Sequence, residues 1–299
     1  MFLSIGLAYN QPKFCSNATW NSTGITFANK QTYNSLFWDI FITVNNTIYV
    51  PAPDIKRILV WFDTNPILAA NTLVNSSDLK SVFVTENNDV YFTDQQNSTL
   101  VINKLSSNVI QLIMTTCDQC YDIFVDMKNN VYCSMDTTHK VIRKSLNNLS
   151  YPIEIVSGTG ISGSTMNMLN NPKGIFVDTN FDLYVADHSN HRIQLFPMDQ
   201  TDGITVAGSE SLIPTISLRC PLAVILDANK YLFIADHDHR RIIGSGPYGF
   251  RCLIGCNGNT SSFYWRSISF DKLGNIFALE TGSHRIQKFE LLTNSCSKF

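Results

Sequence analysis

The sequence predicts an all-β fold: a six-bladed β-propeller of four-stranded blades, its ring closed by an N-terminal strand that joins the last blade. Three observations predict it. A 15-residue phrase returns six times, each copy reads as short strands separated by turns, and the strand missing after the last copy has a match near the start of the chain. Each phrase opens where an apolar run ends on a marker residue: Thr43, Thr85, Asp126, Asp178, Asp227 and Asp271. Six residues on, an aromatic stands in every copy (Tyr49, Tyr91, Tyr132, Tyr184, Phe233, Phe277). Fourteen residues on come Arg57, Thr99, Lys140, Arg192, Arg241 and Arg285, so only the second copy lacks a base. The markers are spaced by 42, 41, 52, 49 and 44 residues, and sustained periods of this size belong to solenoids, propellers and arrays.

The fourth copy shows the strands most clearly. Lys173–Asp178 is apolar and β-branched, and a turn follows before Leu183–Asp187. After His188-Ser189-Asn190, residues His191–Phe196 alternate polar and apolar, as a half-buried strand does, and Gly203–Gly208 makes a fourth strand. No stretch holds a helical period for three turns. Four-stranded units of about 40–50 residues suit propeller blades, whose radial arrangement leaves only short protected edges.

The blade count follows from the chain ends. The sixth copy stops after His284–Phe289, while Gly24-Ile25-Thr26-Phe27-Ala28 matches Gly203-Ile204-Thr205-Val206-Ala207 at four of five positions. The N-terminal strand is therefore expected to complete blade six and remove a free sheet edge. The whole chain, residues 1–299, reads as one domain, although its length alone allows two.

Asn171-Pro172-Lys173-Gly174-Ile175-Phe176-Val177-Asp178, Leu183–Asp187 and Asn190-His191-Arg192-Ile193-Gln194 resemble the NHL repeat. The resemblance extends over nearly the whole chain, most closely in blades four to six. It implies a propeller, and it implies an activity only loosely, because NHL propellers serve ubiquitin ligases, RNA-binding regulators, amidating lyases and secreted proteins. A shared fold is an analogy for function and no more.

Composition narrows these classes. The formal net charge is −2, from 22 basic and 24 acidic residues, with no run of five like charges. A nucleic-acid partner calls for a basic footprint, so none is expected. No apolar run reaches 18 residues, so no membrane insertion is expected either. Residues Met1–Tyr9 are apolar but too short for a signal peptide and lack its charged start. The chain is read as an extracellular domain from a truncated gene model or a larger parent, and as a monomer.

Eight cysteines point to disulfides in an oxidising compartment. Cys15 and Cys296 flank the expected closing strand and its neighbour, and Cys252 and Cys256 are close enough for a local bridge. Cys117, Cys120, Cys133 and Cys220 have no assignable partners, and the Cys117–Cys120 spacing raises a zinc knuckle for which no second ligand pair follows. Sequons mark Asn17, Asn21, Asn45, Asn75, Asn97, Asn148 and Asn259 as candidate glycosylation sites. With 29 Asn and 52 Ser plus Thr, about five would arise by chance, so their placement outside strands says more than their number.

Candidate chemistry lies in the histidines and acids. His139, His191 and His284 share one repeat position, and the NHL resemblance implies comparison with a histidine-bound zinc in the amidating lyases. That position belongs to the ordinary repeat phrase, which favours a structural role. Asp187, His188, Asp236 and His237 form a possible polar ring, yet Asp187, Asp236 and Glu280 each precede an arginine by five residues. Such an acid and base can pair across the turn between two strands. Nucleophile-elbow, phosphate-loop and His-Glu-X-X-His motifs are missing.

The reading that results is a non-enzymatic extracellular module that binds a protein or glycan partner through propeller loops, with no cofactor, catalytic residue or metal ligand assigned. The alternatives are a metal-dependent lyase or hydrolase resembling the amidating lyases, and the recognition domain of a ubiquitin ligase.

Overall fold

The structure, a computed structural model, describes residues 9–66, 70–74, 76–95, 99–104, 109–115, 119–209, 216–256 and 263–292. It is a ring of six four-stranded antiparallel sheets. The only α-helix among the described residues is the single turn Lys30–Tyr33. The inner strands are Phe41–Ile42, Leu79–Val84, Cys120–Val125, Pro172–Val177, Pro221–Leu226 and Trp265–Phe270, for blades one to six.

Each marker residue sits just after an inner strand and folds the turn that follows. Asp126, Asp178, Asp227 and Asp271 each accept two backbone N–H groups through Oδ1, from the residues two and four positions on, at 2.8–3.1 Å. Thr43 does a similar service through its hydroxyl, which accepts from Thr47 N at 3.2 Å. Short oxygen-bearing side chains satisfy their own backbone in this way. Three residues after every marker the chain turns left-handed, at Asn46, Asn88, Asn129, Phe181, Lys230 and Gly274, with φ from +60 to +80°.

The aromatic six residues after each marker is buried in all six blades, none more than 7% exposed. A second aromatic series, two residues before the marker, forms an arc around the channel. Phe41, Phe83, Phe124 and Phe176 follow one another with centroids 4.6–5.0 Å apart. Inner strands of neighbouring blades come so close that a Cβ on Gly174 would lie 2.6 Å from Leu222 O.

The N-terminal segment does two jobs. Ile25–Asn29 pairs antiparallel with Arg285–Phe289 as the outer strand of blade six, with a bulge between Thr26 and Ala28. Upstream, residues 9–12 plug the channel at the end where the marker turns lie. Tyr9 packs edge-on against Phe124 and Phe176, each at 5.2 Å, and donates its hydroxyl to Val177 O. Asn10 Nδ2 donates to Thr43 O at 2.9 Å and Phe270 O at 3.1 Å, and Gln11 Nε2 to Leu226 O at 3.4 Å. One short segment thus bonds the ends of four inner strands.

Two disulfides join described cysteines. Cys252–Cys256 closes the exit of blade five, and Cys120–Cys133 joins the first two strands of blade three, a pair the spacing left open. A sulfur held in a disulfide is not free to ligate zinc as a thiolate, so the Cys117–Cys120 knuckle is excluded. Cys15 is disulfide-bonded, Cys220 is a free thiol, and Cys117 and Cys296 lie outside the described residues.

Candidate functional site: the mouth of the central channel

With one end plugged, the channel opens where the inner strands begin. Antiparallel pairing brings the ends of the second strands to this same face: Pro172 opposes Asp187, Pro221 opposes Asp236, and Trp265 opposes Glu280. Side chains just before each inner strand or at its first residues, and those just after each second strand, therefore share the mouth.

Five residues before each marker the six blades place Trp38, Lys80, Tyr121, Lys173, Leu222 and Arg266. Here the chemistry changes from blade to blade. Arg266 reaches across from blade six: its Nε donates to Trp38 O at 2.8 Å, and its guanidinium carbon lies 4.3 Å from the Trp38 ring centroid and 4.9 Å from that of Tyr121. Lys80 stands 5.5 Å over Trp38, and Lys173 stands 4.1 Å over Tyr121 while pairing with Asp136 at 2.5 Å. Burial, partly offset by Asp136, pulls the Lys173 pKa below its ordinary value, and the charges of Arg266 and Lys80 add to that.

One residue deeper lie Asp39, Ser81, Asp122, Gly174, Ala223 and Ser267. Their polar members lock neighbouring blades together. Asp39 accepts from Ile40 N, Val82 N, Ser81 Oγ and Ser267 Oγ at 2.7–3.0 Å. Asp122 accepts from Ile123 N and Ile175 N at 2.8–2.9 Å, and its Oδ1 lies 2.8 Å from Ser81 Oγ. Burial first, and then the neighbouring Asp39 charge, push the Asp122 carboxyl up to about 7.

The polar ring read from the sequence divides into two parts. Asp187 and Asp236 are wholly buried and hold Arg192 and Arg241, each with an Nε–Oδ2 distance of 2.8 Å, and Glu280 holds Arg285 at 2.6 Å. The acid is enclosed in all three pairs, and in blade four the arginine is too. His188 and His237 face the mouth. Burial first, then the charges of Lys173 and His237, hold the His188 pKa down to about 4. The His237 ring lies tilted against Tyr264, centroids 5.0 Å apart, and its Nδ1 lies 2.9 Å from Asp238 Oδ1.

His139, His191 and His284 occupy left-handed turn positions, with φ of +46 to +57°, a conformation they share with Lys56 and Arg240 of the other blades. His139 Nδ1 accepts from Asn171 N and His191 Nδ1 from Cys220 N, both at 3.1 Å, linking each blade to the start of the next. His284 Nδ1 lies 3.4 Å from Phe37 O across the closing junction. Among the described residues no three His, Cys, Asp or Glu side chains are grouped to hold a metal. Asn17, Asn21, Asn45 and Asn148 are exposed, while Asn75, Asn97 and Asn259 lie outside the described residues.

The mouth residues leave no periodic signal in the sequence. A column kept the same in every blade shapes the blade, whereas one that changes from Trp to Lys to Tyr to Arg distinguishes this propeller from another.

Architecture and site define a six-bladed β-propeller with an unsymmetrical channel mouth. Within that class, the NHL repeat family model matches residues 169–196, the first three strands of blade four. Comparison with curated proteins finds no match. Among solved structures, the chain is similar to a catalytically inactive virginiamycin B lyase from Staphylococcus aureus with quinupristin, at 12% identity and a TM-score of 0.65, covering 91% of this chain and 100% of that one. A protein of unknown function from Bacteroides thetaiotaomicron aligns at 14% identity and a TM-score of 0.68, covering 96% of this chain and 75% of that one. A streptogramin B lyase aligns at 14% identity and a TM-score of 0.63, covering 97% and 96%. At these identities the likeness is one of fold.

Proposed function

We propose that the chain is a non-enzymatic extracellular binding module that recognises a protein or glycan partner across the mouth face. One observation carries this reading: Trp38, Lys80, Tyr121, Lys173 and Arg266, from five blades, converge on the open end of a channel whose other end is plugged by residues 9–12. Aromatic and arginine side chains concentrated on a rigid frame are what binding hot spots are made of. Two disulfides and four exposed sequon asparagines suit an oxidising, glycosylating compartment.

The test presents purified chain to immobilised glycans and purified extracellular domains, then repeats any interaction with Trp38→Ala and Arg266→Glu. Loss of binding in both, with Lys128→Gln at the opposite face unaffected, is the expected result. Binding that survives both mouth variants places recognition elsewhere. Expression through a secretory pathway, with a mass shift on glycan removal, checks the compartment.

A lyase is the second reading, favoured by His188 and His237 at the mouth and by the fold shared with lyases, one of which is inactivated by a single His→Ala change. Against it, a histidine held near 4 is a weak base at neutral pH, where general-base catalysis works best with a pKa near the operating pH. Incubation with quinupristin followed by mass spectrometry separates the readings: an altered product supports the lyase.

A further inference from the structure

The geometry points to an oxyanion receptor in the channel mouth, formed by Arg266, Lys80 and Tyr121, that takes a carboxylate or sulfate group of the partner. This rests on the mouth being the recognition face. Arg266 spends its Nε on Trp38 O and lies between two aromatic rings, which fixes the plane of the guanidinium. Neither Arg266 nor Lys80 has a carboxylate partner among the described residues; both are held by π faces instead. A guanidinium presents its donors as a planar fork that matches carboxylates and sulfates.

A second observation is independent of charge. The Tyr121 hydroxyl is buried at the mouth without a hydrogen-bond partner, and a buried hydroxyl left unmatched costs about 1–3 kcal/mol. An oxyanion beside Arg266 would accept from it. These residues, with Asp39 and Asp122 beneath them, line a cavity of about 30 Å³, room for one small group and not for a folded segment. The nearby carboxylates do not occupy the cations. Asp136 is spent on Lys173, and Asp39 and Asp122 face backbone N–H groups and serine hydroxyls one layer deeper.

Titration of the purified chain with sodium sulfate and with sodium acetate, at constant ionic strength against chloride, tests this directly. Trp38 supplies a fluorescence signal at the site, checked by calorimetry. Saturable binding is expected for at least one oxyanion, weakened tenfold or more in Arg266→Gln and in Lys80→Gln and unchanged in Lys128→Gln. The preferred anion distinguishes a carboxylate source from a sulfate source. Circular dichroism and melting verify that each variant is folded, and the partly buried Lys80 provides the second variant if Arg266→Gln is not. Binding equal to chloride, or unchanged in both mouth variants, overturns the receptor. Because the probes are small anions, that failure leaves partner binding across the mouth to be judged by its own assay.

Discussion

Arg192 Nε lies 2.8 Å from Asp187 Oδ2, with the two side chains only 2% and 0% exposed. The same guanidinium donates to Ser164 O, Thr165 O and Met168 O at 2.7–3.1 Å. Asp187 also accepts from Asn170 N and Asn190 Nδ2. The pair therefore ties the turn between two strands of blade four to the loop that leads into that blade. Removing one partner of a buried pair strands a charge, at a cost of about 3–5 kcal/mol. Arg192→Ala is expected to lose that much in urea unfolding. Arg285→Ala should lose less, since Arg285 is 27% exposed and water can take over from it. Equal, small losses in the two variants would show that enclosure does not govern the pair.

His191 is expected to act through its backbone conformation and one hydrogen bond. Asparagine tolerates its φ of +57° but cannot reproduce the bond from Cys220 N, so His191→Asn should cost about 1 kcal/mol. His191→Val adds a β-branched residue in the left-handed region and should cost a further ~1–3 kcal/mol. Melting curves check the order, and metal analysis checks the rival role. A metal bound by wild type and lost in His191→Asn would make the histidine a ligand.

These residues show how legible the chain was. The marker aspartates, the buried aromatics and the arginines at marker plus fourteen act locally within a blade, so they recur and can be read by counting. Trp38, Asp39, Tyr121 and Arg266 do their work across the channel, where residues more than a hundred positions apart meet only once the ring has formed. Tyr9 was invisible for the same reason: its partners Phe124 and Phe176 belong to blades three and four, and nothing near it repeats. The burial of Arg192 depends on the loop holding Ser164 and Met168, which lies outside the period altogether.

Ser81 Oγ stands 2.9 Å from Asp39 Oδ2 and 2.8 Å from Asp122 Oδ1, and a hydroxyl has one hydrogen to give. Both contacts are hydrogen bonds when one carboxyl is protonated and donates in turn. With Asp122 pushed up to about 7 and an unfolded aspartate near ~3.9, the folded chain keeps a proton in that window that the unfolded chain has released. Its contribution to stability therefore falls as pH rises from about 4 to about 7. His188 has the opposite sign. Held down to about 4, it lacks a proton that the unfolded chain binds below ~6.5, so its contribution is lost as pH falls toward 4. Carbon-detected titration should give Asp122 a midpoint near 7, lowered in Asp39→Asn. A midpoint near 4 in the wild-type fold would remove the shared proton.

Ring closure and channel plug are separable by truncation. Deleting residues 1–29 removes Ile25–Asn29 and leaves the Arg285–Phe289 strand as a bare edge of unpaired donors and acceptors. Deleting residues 1–12 keeps that strand and, among the described residues, removes Tyr9, Asn10 and Gln11 with their bonds to four inner strands and Pro12, whose carbonyl accepts from Ala228 N. The longer deletion is expected to melt far earlier or aggregate, and the shorter to stay a folded ring with a modestly lower melting temperature. The longer one also loses Cys15, whose expected partner is Cys296. A cross-link closing so long a loop contributes up to about 5–6 kcal/mol by chain entropy. Non-reducing digestion and mass spectrometry identify the partner, and Cys15→Ser isolates the cross-link while the strand remains. If Cys15→Ser melts as early as the 1–29 deletion, the disulfide and not the strand holds the ring. If the 1–29 deletion melts like wild type, the six-bladed closure is wrong.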